Sequence, residues 1–205
     1  MCNEGGKYHL GTFLGLTFSL TTFSSVIEAP LNRIPPDREV NFFVRESTAY
    51  ARLKARGFCE RGVIPDFYRT ITNIQPTIWP GLHMFLDDKL PPNAILIEYV
   101  LDVQQIDLSN FSLRYLRELR HILDEIHDAG VLHGDPYPRN MMISADQCKA
   151  LWTDFDSAHT FSRSLSTRQE NWFKEENEMM DFFVEALAQD YEEGKLNQAY
   201  SYYYG

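Results

Sequence analysis

Long hydrophobic runs are the first thing this sequence lacks. Its one extended apolar stretch, Gly11 to Val26, falls short of the roughly 20 mainly apolar residues that a membrane span needs. Only Glu4 and Lys7 precede it, and no small-x-small cleavage pattern follows, so a secretory signal is not expected. Cysteine is scarce too. Cys2, Cys59 and Cys148 are odd in number and far apart, with no CxxC spacing, so neither a disulfide framework nor a zinc site is indicated. Three free thiols fit a reducing compartment, cytoplasmic or nuclear. Positive charge is short as well. Lys plus Arg is 19 against 29 Asp plus Glu, a net charge of −10. That balance gives no general attraction for nucleic acid or for an anionic membrane.

What is present is ordinary globular material. Of 205 residues, 44% are hydrophobic and 23% charged, enough for one domain or for two small lobes sharing a crevice. There is no internal repeat and no long linker. The first 30 residues read as β, with Gly11 and Gly15 as turn points, and Pro30, Pro35 and Pro36 break the chain. Residues 41–56 carry apolar positions at helical steps (Phe42, Phe43, Ala49, Tyr50, Leu53), with Gly57 as the stop. Short strands and Pro-rich turns are expected over 62–85, and a buried strand over 94–100. A strongly amphipathic helix follows Ser109, with a stripe of Leu113, Leu116, Leu119, Leu123 and Ile126 and Gly130 as its C-terminal stop. Short strands are expected at 131–132, 141–143 and 150–153, and an acidic helix at 175–190.

The segment with chemical content is His133-Gly134-Asp135-Pro136-Tyr137-Pro138-Arg139-Asn140. It sets Asp135 and Asn140 five residues apart in a turn just after a long helix. Asp154 follows 14 residues later, opening the triplet Asp154-Phe155-Asp156. A loop carboxylate can accept the proton of a hydroxyl. An Asn and a second Asp offer the hard oxygen ligands that Mg²⁺ prefers and shares with phosphates. That set suits phosphoryl transfer, where positioning and charge neutralisation do most of the catalysis.

The segment resembles the catalytic loop of the protein-kinase-like superfamily, H-[RG]-D-x-x-x-x-N, followed by a D-F-G-like triplet. Its H-G-D form is similar to aminoglycoside and choline phosphotransferases and to small atypical kinases of the RIO group. The chain as a whole resembles short protein-kinase-like proteins of filamentous fungi, whose E-x-x-A-Y-x-R-L helix is matched by Glu46, Ala49, Tyr50, Arg52 and Leu53. The resemblance spans about residues 40–190 in the expected order. It implies a two-lobed α+β fold. An N-terminal lobe over 1–100 would carry a small antiparallel sheet, one helix and a hinge at 98–100, and a mainly helical, shortened C-terminal lobe would span 101–205. It also implies ATP and Mg²⁺ as cofactors and a hydroxyl acceptor on a protein or small molecule. Asp135 matches the catalytic base, Asn140 and Asp154 the metal ligands, and His133 the packing histidine of the loop. Glu46 matches the helix glutamate that pairs with a nucleotide-binding lysine. Glu98, Tyr99 and Val100 match the segment whose backbone meets adenine.

The departures are specific. None of the six lysines (Lys7, Lys54, Lys89, Lys149, Lys174, Lys195) precedes Glu46 at the family's distance, and Ser25-Val26-Ile27-Glu28 puts a glutamate at the lysine position. Arg33 and Arg38 are the candidate substitutes. Leu10 to Gly15 lacks one glycine of the phosphate-covering loop, and Gly5-Gly6 does not repair it. Asp156 replaces the glycine of the triplet and adds a candidate metal ligand. Gly134 replaces the usual arginine, Tyr137 stands where many protein kinases carry lysine, and Arg139 offers the positive charge instead. No A-P-E follows.

Blander readings stand beside these. His133–Asn140 could be a polar turn capped by Asp135, Asp154 and Asp156 a solvated acidic pair, and Glu46 an ordinary helix residue. His121 and His127 are off the four-residue step that would pair two metal ligands. Two functions follow. One is a phosphotransferase moving the γ-phosphate of ATP to a hydroxyl. The other is a catalytically impaired pseudokinase that binds a protein partner.

Overall fold

Among the described residues the apolar periodicities become a mixed α+β structure of four α-helices and small antiparallel sheets. The computed structural model describes residues 7–13 and 16–21 as backbone, and residues 39, 41–144, 148–161 and 164–199. Strands β1 (Lys7–Phe13), β2 (Leu16–Thr21), β3 (Phe67–Ile71) and β4 (Asn93–Glu98) form one sheet in the order β1-β2-β4-β3. Every neighbouring pair is antiparallel. Phe13 pairs with Leu16, and Gly15, expected as a turn point, lies outside the described residues; Gly11, the other expected turn point, lies inside β1, where the register shifts between His9 and Thr12. The expected strand over 94–100 is Asn93–Glu98 and ends before Tyr99. Ser25–Glu28, Arg33, Arg38, Gly5-Gly6 and the tyrosines after Ala199 lie outside the described residues.

Helix α1 (Phe42–Lys54) starts on Asn41, whose side chain accepts from the Val44 N–H, and buries Glu46, Ala49, Tyr50 and Leu53. A four-residue helix, α2 (Phe58–Arg61), sits between Gly57 and Gly62, both with positive φ. Strand β5 (Val103–Gln105) pairs with β7 (Met141–Ser144), which pairs with β8 (Lys149–Trp152). Helix α3 (Leu113–Asp128) buries Leu116, Leu119, Ile122, Leu123 and Ile126. Leu113, the expected start of that stripe, is instead partly exposed, because it lies in the first turn, ahead of the strands α3 covers. Gly130, at φ +77°, turns the chain into β6 (Val131–Leu132), which pairs with β9 (His159–Thr160).

Helix α4 (Thr167–Glu193) starts eight residues earlier than the acidic pattern predicts. Its start is set by a capping box: Ser166 accepts from the Gln169 N–H and Gln169 accepts from the Ser166 N–H. The main core joins α1, α3, α4 and strands β6 to β8. Among the described residues no helix is long and apolar enough to cross a membrane.

An aromatic column runs from the four-stranded sheet into the loops. Phe67 stacks on Tyr50 at 5.9 Å, Tyr50 meets Phe155 edge-on at 5.2 Å, and Phe155 lies 4.7 Å from His133. His133 in turn tilts against Trp152 at 4.9 Å. Such contacts add about 0.5–1.5 kcal/mol per pair beyond area burial. The Tyr50 hydroxyl is buried without a hydrogen-bond partner. Tyr50→Phe is therefore expected to leave stability unchanged or raise it by up to about 1 kcal/mol, whereas Tyr50→Ala should lower it by about 3–5 kcal/mol. Urea denaturation midpoints test this, and a loss above about 1 kcal/mol in Tyr50→Phe would contradict the assignment of an idle hydroxyl.

Candidate functional site

Three successive segments converge at one end of α3: the loop 133–140, residues 153–158, and α4. Pro136 and Pro138 fix the loop backbone. The Tyr137 N–H donates to the Asp135 carbonyl at 2.8 Å, and the Asn140 N–H to the Tyr137 carbonyl at 2.9 Å. Asn140, nearly buried, donates through Nδ2 to Asp135 Oδ2 at 2.7 Å and to the Asp135 carbonyl at 2.9 Å. Arg139 donates through Nη2 to Asp135 Oδ1 at 2.5 Å and through Nε to Oδ2 at 3.2 Å. Its guanidinium also lies 4.5 Å over the Tyr137 ring. Asp135, Arg139 and Asn140 are thus one hydrogen-bonded unit. The Asp135 side chain is 15% exposed and that of Arg139 48%.

The triplet is stitched to the same unit. The Thr153 N–H donates to the Asn140 carbonyl at 3.1 Å, and His133 Nε2 meets the Thr153 carbonyl at 3.1 Å. Asp154 follows at once, half-buried, with φ +63°. A non-glycine residue in that left-handed region is uncommon and is held by its surroundings. Phe155 is fully buried beneath it, and Asp156 is half-buried in the next turn.

The donor set fits Mg²⁺ in kind. Asn140 commits its amide nitrogen to Asp135, which leaves Oδ1 as its ligating atom, and Asp154 supplies a carboxylate from the adjoining segment. Among the described residues no three His, Cys, Asp or Glu side chains converge to hold a metal by themselves. A cation here would need oxygens from elsewhere, as Mg²⁺ usually takes from phosphates and water.

Glu46 lies on α1, 1% exposed, one turn before Tyr50. The Tyr50 hydroxyl is pushed well above its ordinary range, by burial first and then by the negative charges of Glu46, Asp154 and Cys59. Both carboxylates are therefore close enough to act on one buried phenol. Immediately before Glu46 on α1, Arg45 Nε donates to the Ala158 carbonyl at 3.2 Å, just past the triplet. Glu98 serves the sheet: its Oε2 accepts from the Asp66 N–H at 3.0 Å. Tyr99 and Val100 follow β4, exposed and half-buried respectively.

Glu176 on α4 is the residue that the motif did not point to. Its Oε1 accepts from the Gly134 N–H at 2.6 Å, and its Oε2 accepts from the His133 N–H at 3.0 Å. His127 Nε2 meets the same Oε2 at 2.6 Å. A signal was available in the sequence. Glu176 falls on the three- and four-residue steps of Phe173, Met180, Phe183 and Leu187, a carboxylate on a core stripe.

Gly134 explains itself by two constraints. It has φ +79°, and a Cβ there would stand 2.2 Å from the Ser157 carbonyl oxygen. Gly194 shares the positive φ, but a Cβ there would meet nothing within 4 Å. Gly194→Ala should lower stability by about 1–2 kcal/mol, the left-handed strain alone. Gly134→Ala should lower it by clearly more, because the loop and the triplet must separate. Equal losses in thermal denaturation would refute the close approach.

Burial depresses the pKa of His133 below the ordinary 6.5, against the opposing pull of Glu176, Asp135 and Asp154. The unfolded imidazole takes up a proton as pH falls through about 6.5 and the folded one does not. Its contribution to stability is thus full above about pH 6.5 and is lost progressively below it. His133→Phe should be less stable at pH 8, having lost the Thr153 contact, yet should show a shallower decline between about pH 6.5 and 5. Parallel pH profiles would contradict this.

Comparison with protein-family models gives no match to this sequence, and comparison with curated proteins gives none either.

Proposed function

We propose that the chain is a two-lobed, protein-kinase-like phosphotransferase that moves the γ-phosphate of ATP to a hydroxyl of a protein or small molecule. The observation that carries this reading is the joining of Asp135, Asn140 and the Asp154 segment, by hydrogen bonds of 2.7 Å and 3.1 Å, at one end of α3. Asp135 orients the acceptor hydroxyl and receives its proton as the new P–O bond forms and the bond to ADP breaks. Bound Mg²⁺ supplies neutralisation of the phosphate charge. Asn140 Oδ1 and Asp154 are the residues to hold it, with Asp156 as a further oxygen donor. Arg139 fixes the Asp135 carboxylate and adds positive charge beside it. In this reading residues 1–100 form the nucleotide-covering lobe, with Glu46 as the helix carboxylate and Tyr99-Val100 beside adenine.

One feature favours the rival, a kinase-shaped binding protein without turnover. Both oxygens of Asp135 already accept hydrogen bonds, three in all, so an acceptor hydroxyl has to compete with Arg139 and Asn140 for them.

Thermal unfolding with ATP and Mg²⁺, and with ATP and EDTA, tests the nucleotide site. Ligand at 100 times its dissociation constant stabilises by about 2.7 kcal/mol. The expected result is a Mg²⁺-dependent rise that Asp154→Ala abolishes and Asp135→Asn keeps. Asp135→Asn should instead lose all transfer of labelled phosphate to an acceptor or to water. No rise at millimolar ATP would sink the phosphotransferase. A rise with no transfer by the wild-type protein would leave the binding protein.

A further inference from the structure

A groove of about 770 Å³ opens beside the loop, between β5 and the end of α4. Its floor is apolar, built from buried Ile106, Pro138 and Leu187. Its rim is polar, with Gln104 and Gln105 exposed on β5, the edge strand of its sheet. Among the described residues two charged side chains line it. Asp107 is turned into its own loop, where Oδ1 accepts from the N–H and the hydroxyl of Ser109. The other is Arg139, whose side chain is 48% exposed. Arg139 is also the residue that holds Asp135, so the groove meets the loop carboxylate through this one guanidinium.

An arginine wholly spent on Asp135 could select nothing. A guanidinium carries five N–H donors in a rigid fork, however, and Nε and Nη2 are the atoms that reach Asp135. One guanidinium can hold a carboxylate on each of two edges. Arg120 does so in this molecule, with Asp124 at 2.5 Å and Asp181 at 2.6 Å. A second carboxylate on Arg139 would stand two charge-assisted hydrogen bonds of about 2.7–2.9 Å, plus the width of the guanidinium, from the Asp135 oxygens. One or two residues of extended chain, at about 3.3–3.6 Å each, cover that span. The long-range field of the protein opposes such a ligand, since the net charge is −10. A preference for it must come from a local donor, and Arg139 is the one cation of the groove among the described residues. An open groove along an edge strand suits an extended segment better than a compact solute.

We propose that this groove is the acceptor site and that Arg139 selects an acidic protein segment as the acceptor. The accepting hydroxyl lies one or two residues from an Asp or Glu of that segment. The Asp or Glu binds the outer edge of Arg139, and the hydroxyl meets Asp135. Gln104 and Gln105 offer amide donors and acceptors to the segment's backbone. The inference rests on the phosphotransferase reading, in which Asp135 is the base, and adds to it the chemical class of the acceptor.

Fluorescence anisotropy without nucleotide reads the groove alone. The probe is a rhodamine-labelled Gly-Glu-Ser-Glu-Gly peptide, with counterparts carrying Gln or Lys in place of Glu. The wild-type protein should bind the acidic peptide at least about 10-fold more tightly than either counterpart. Arg139→Gln should remove that advantage. Arg139→Lys should keep only part of it, because an ammonium is a point charge without the planar fork. Arg56→Gln removes an exposed cation just past α1 and should change affinity by less than about 2-fold. Melting temperatures within about 2 °C of wild type establish that the variants are folded, as expected for a half-exposed side chain. Equal affinity for the three peptides, no binding at millimolar peptide, or an equal loss in Arg56→Gln would each overturn the proposal. Transfer of labelled phosphate from ATP and Mg²⁺ to the same peptides reads the acceptor role. The acidic peptide should show kcat/KM at least about 10-fold above its Gln counterpart. Equal transfer to both, or transfer to water alone, would keep the phosphotransferase and overturn the acceptor assignment. No transfer to any peptide or to water would sink the phosphotransferase, and the acceptor role with it, even where Arg139-dependent binding holds.

Discussion

A carboxylate buried between two helices and a loop is a demanding object. Left alone in the interior, the charge of Glu176 would cost several kcal/mol. It is tolerated because three N–H groups converge on it: the backbone amides of His133 and Gly134 and the ring of His127. Hydrogen bonds to an ionised acceptor are about twice as strong as neutral ones. The bargain also runs the other way. Two successive amides at the mouth of the loop have no strand or helix partner, and burying them unmet would be equally unfavourable. One side chain of α4 therefore fixes where the loop begins, and α3, through His127, fixes where that side chain stands.

From that anchor the rest of the site follows by contact. Gly134 allows the loop to approach the Ser157 carbonyl more closely than any side chain would permit. That approach brings residues 153–158 alongside, so Thr153 can bond Asn140 and Phe155 can slot between His133 and Tyr50. Tyr50 then ties the buried face of α1 to the triplet, and Phe67 ties it to the four-stranded sheet. The polar unit of Asp135, Arg139 and Asn140 adjoins an aromatic column that runs from the four-stranded sheet to the start of the loop. Packed aromatic contacts of this kind deform little, which holds the polar atoms in place.

Much of this was legible in the sequence, for physical reasons. Helices α1 and α3 were readable because one face of each is apolar at helical spacing and each stops beside a glycine. The Asp135–Asn140 unit was readable because its geometry is local: two prolines and five residues suffice to close the turn. What was missed depends on distance. The start of α4 is set by the exchange between Ser166 and Gln169, which hydrophobic spacing does not register. Glu176 looked like one acid among many in a charged helix, although its place on the Phe173–Met180 stripe marked it as buried. Gly134 appeared only as a missing arginine. Its necessity comes from Ser157, a backbone neighbour that only the folded chain supplies.

Helix α1 has a further consequence that concerns time rather than shape. Arg45 bonds the carbonyl of Ala158, 113 residues later, and Arg52 reaches Ala129 and Phe161, 77 and 109 residues later. At synthesis rates of about 5–20 residues per second, these partners leave the ribosome roughly 4 to 23 seconds after α1 does. Through that interval Tyr50 and Leu53 lack the α3, α4 and triplet side chains that complete their core. Helix α1 is thus made well before the segments that it bonds, and it docks only when they arrive. Its apolar face is where a chaperone would find this nascent chain.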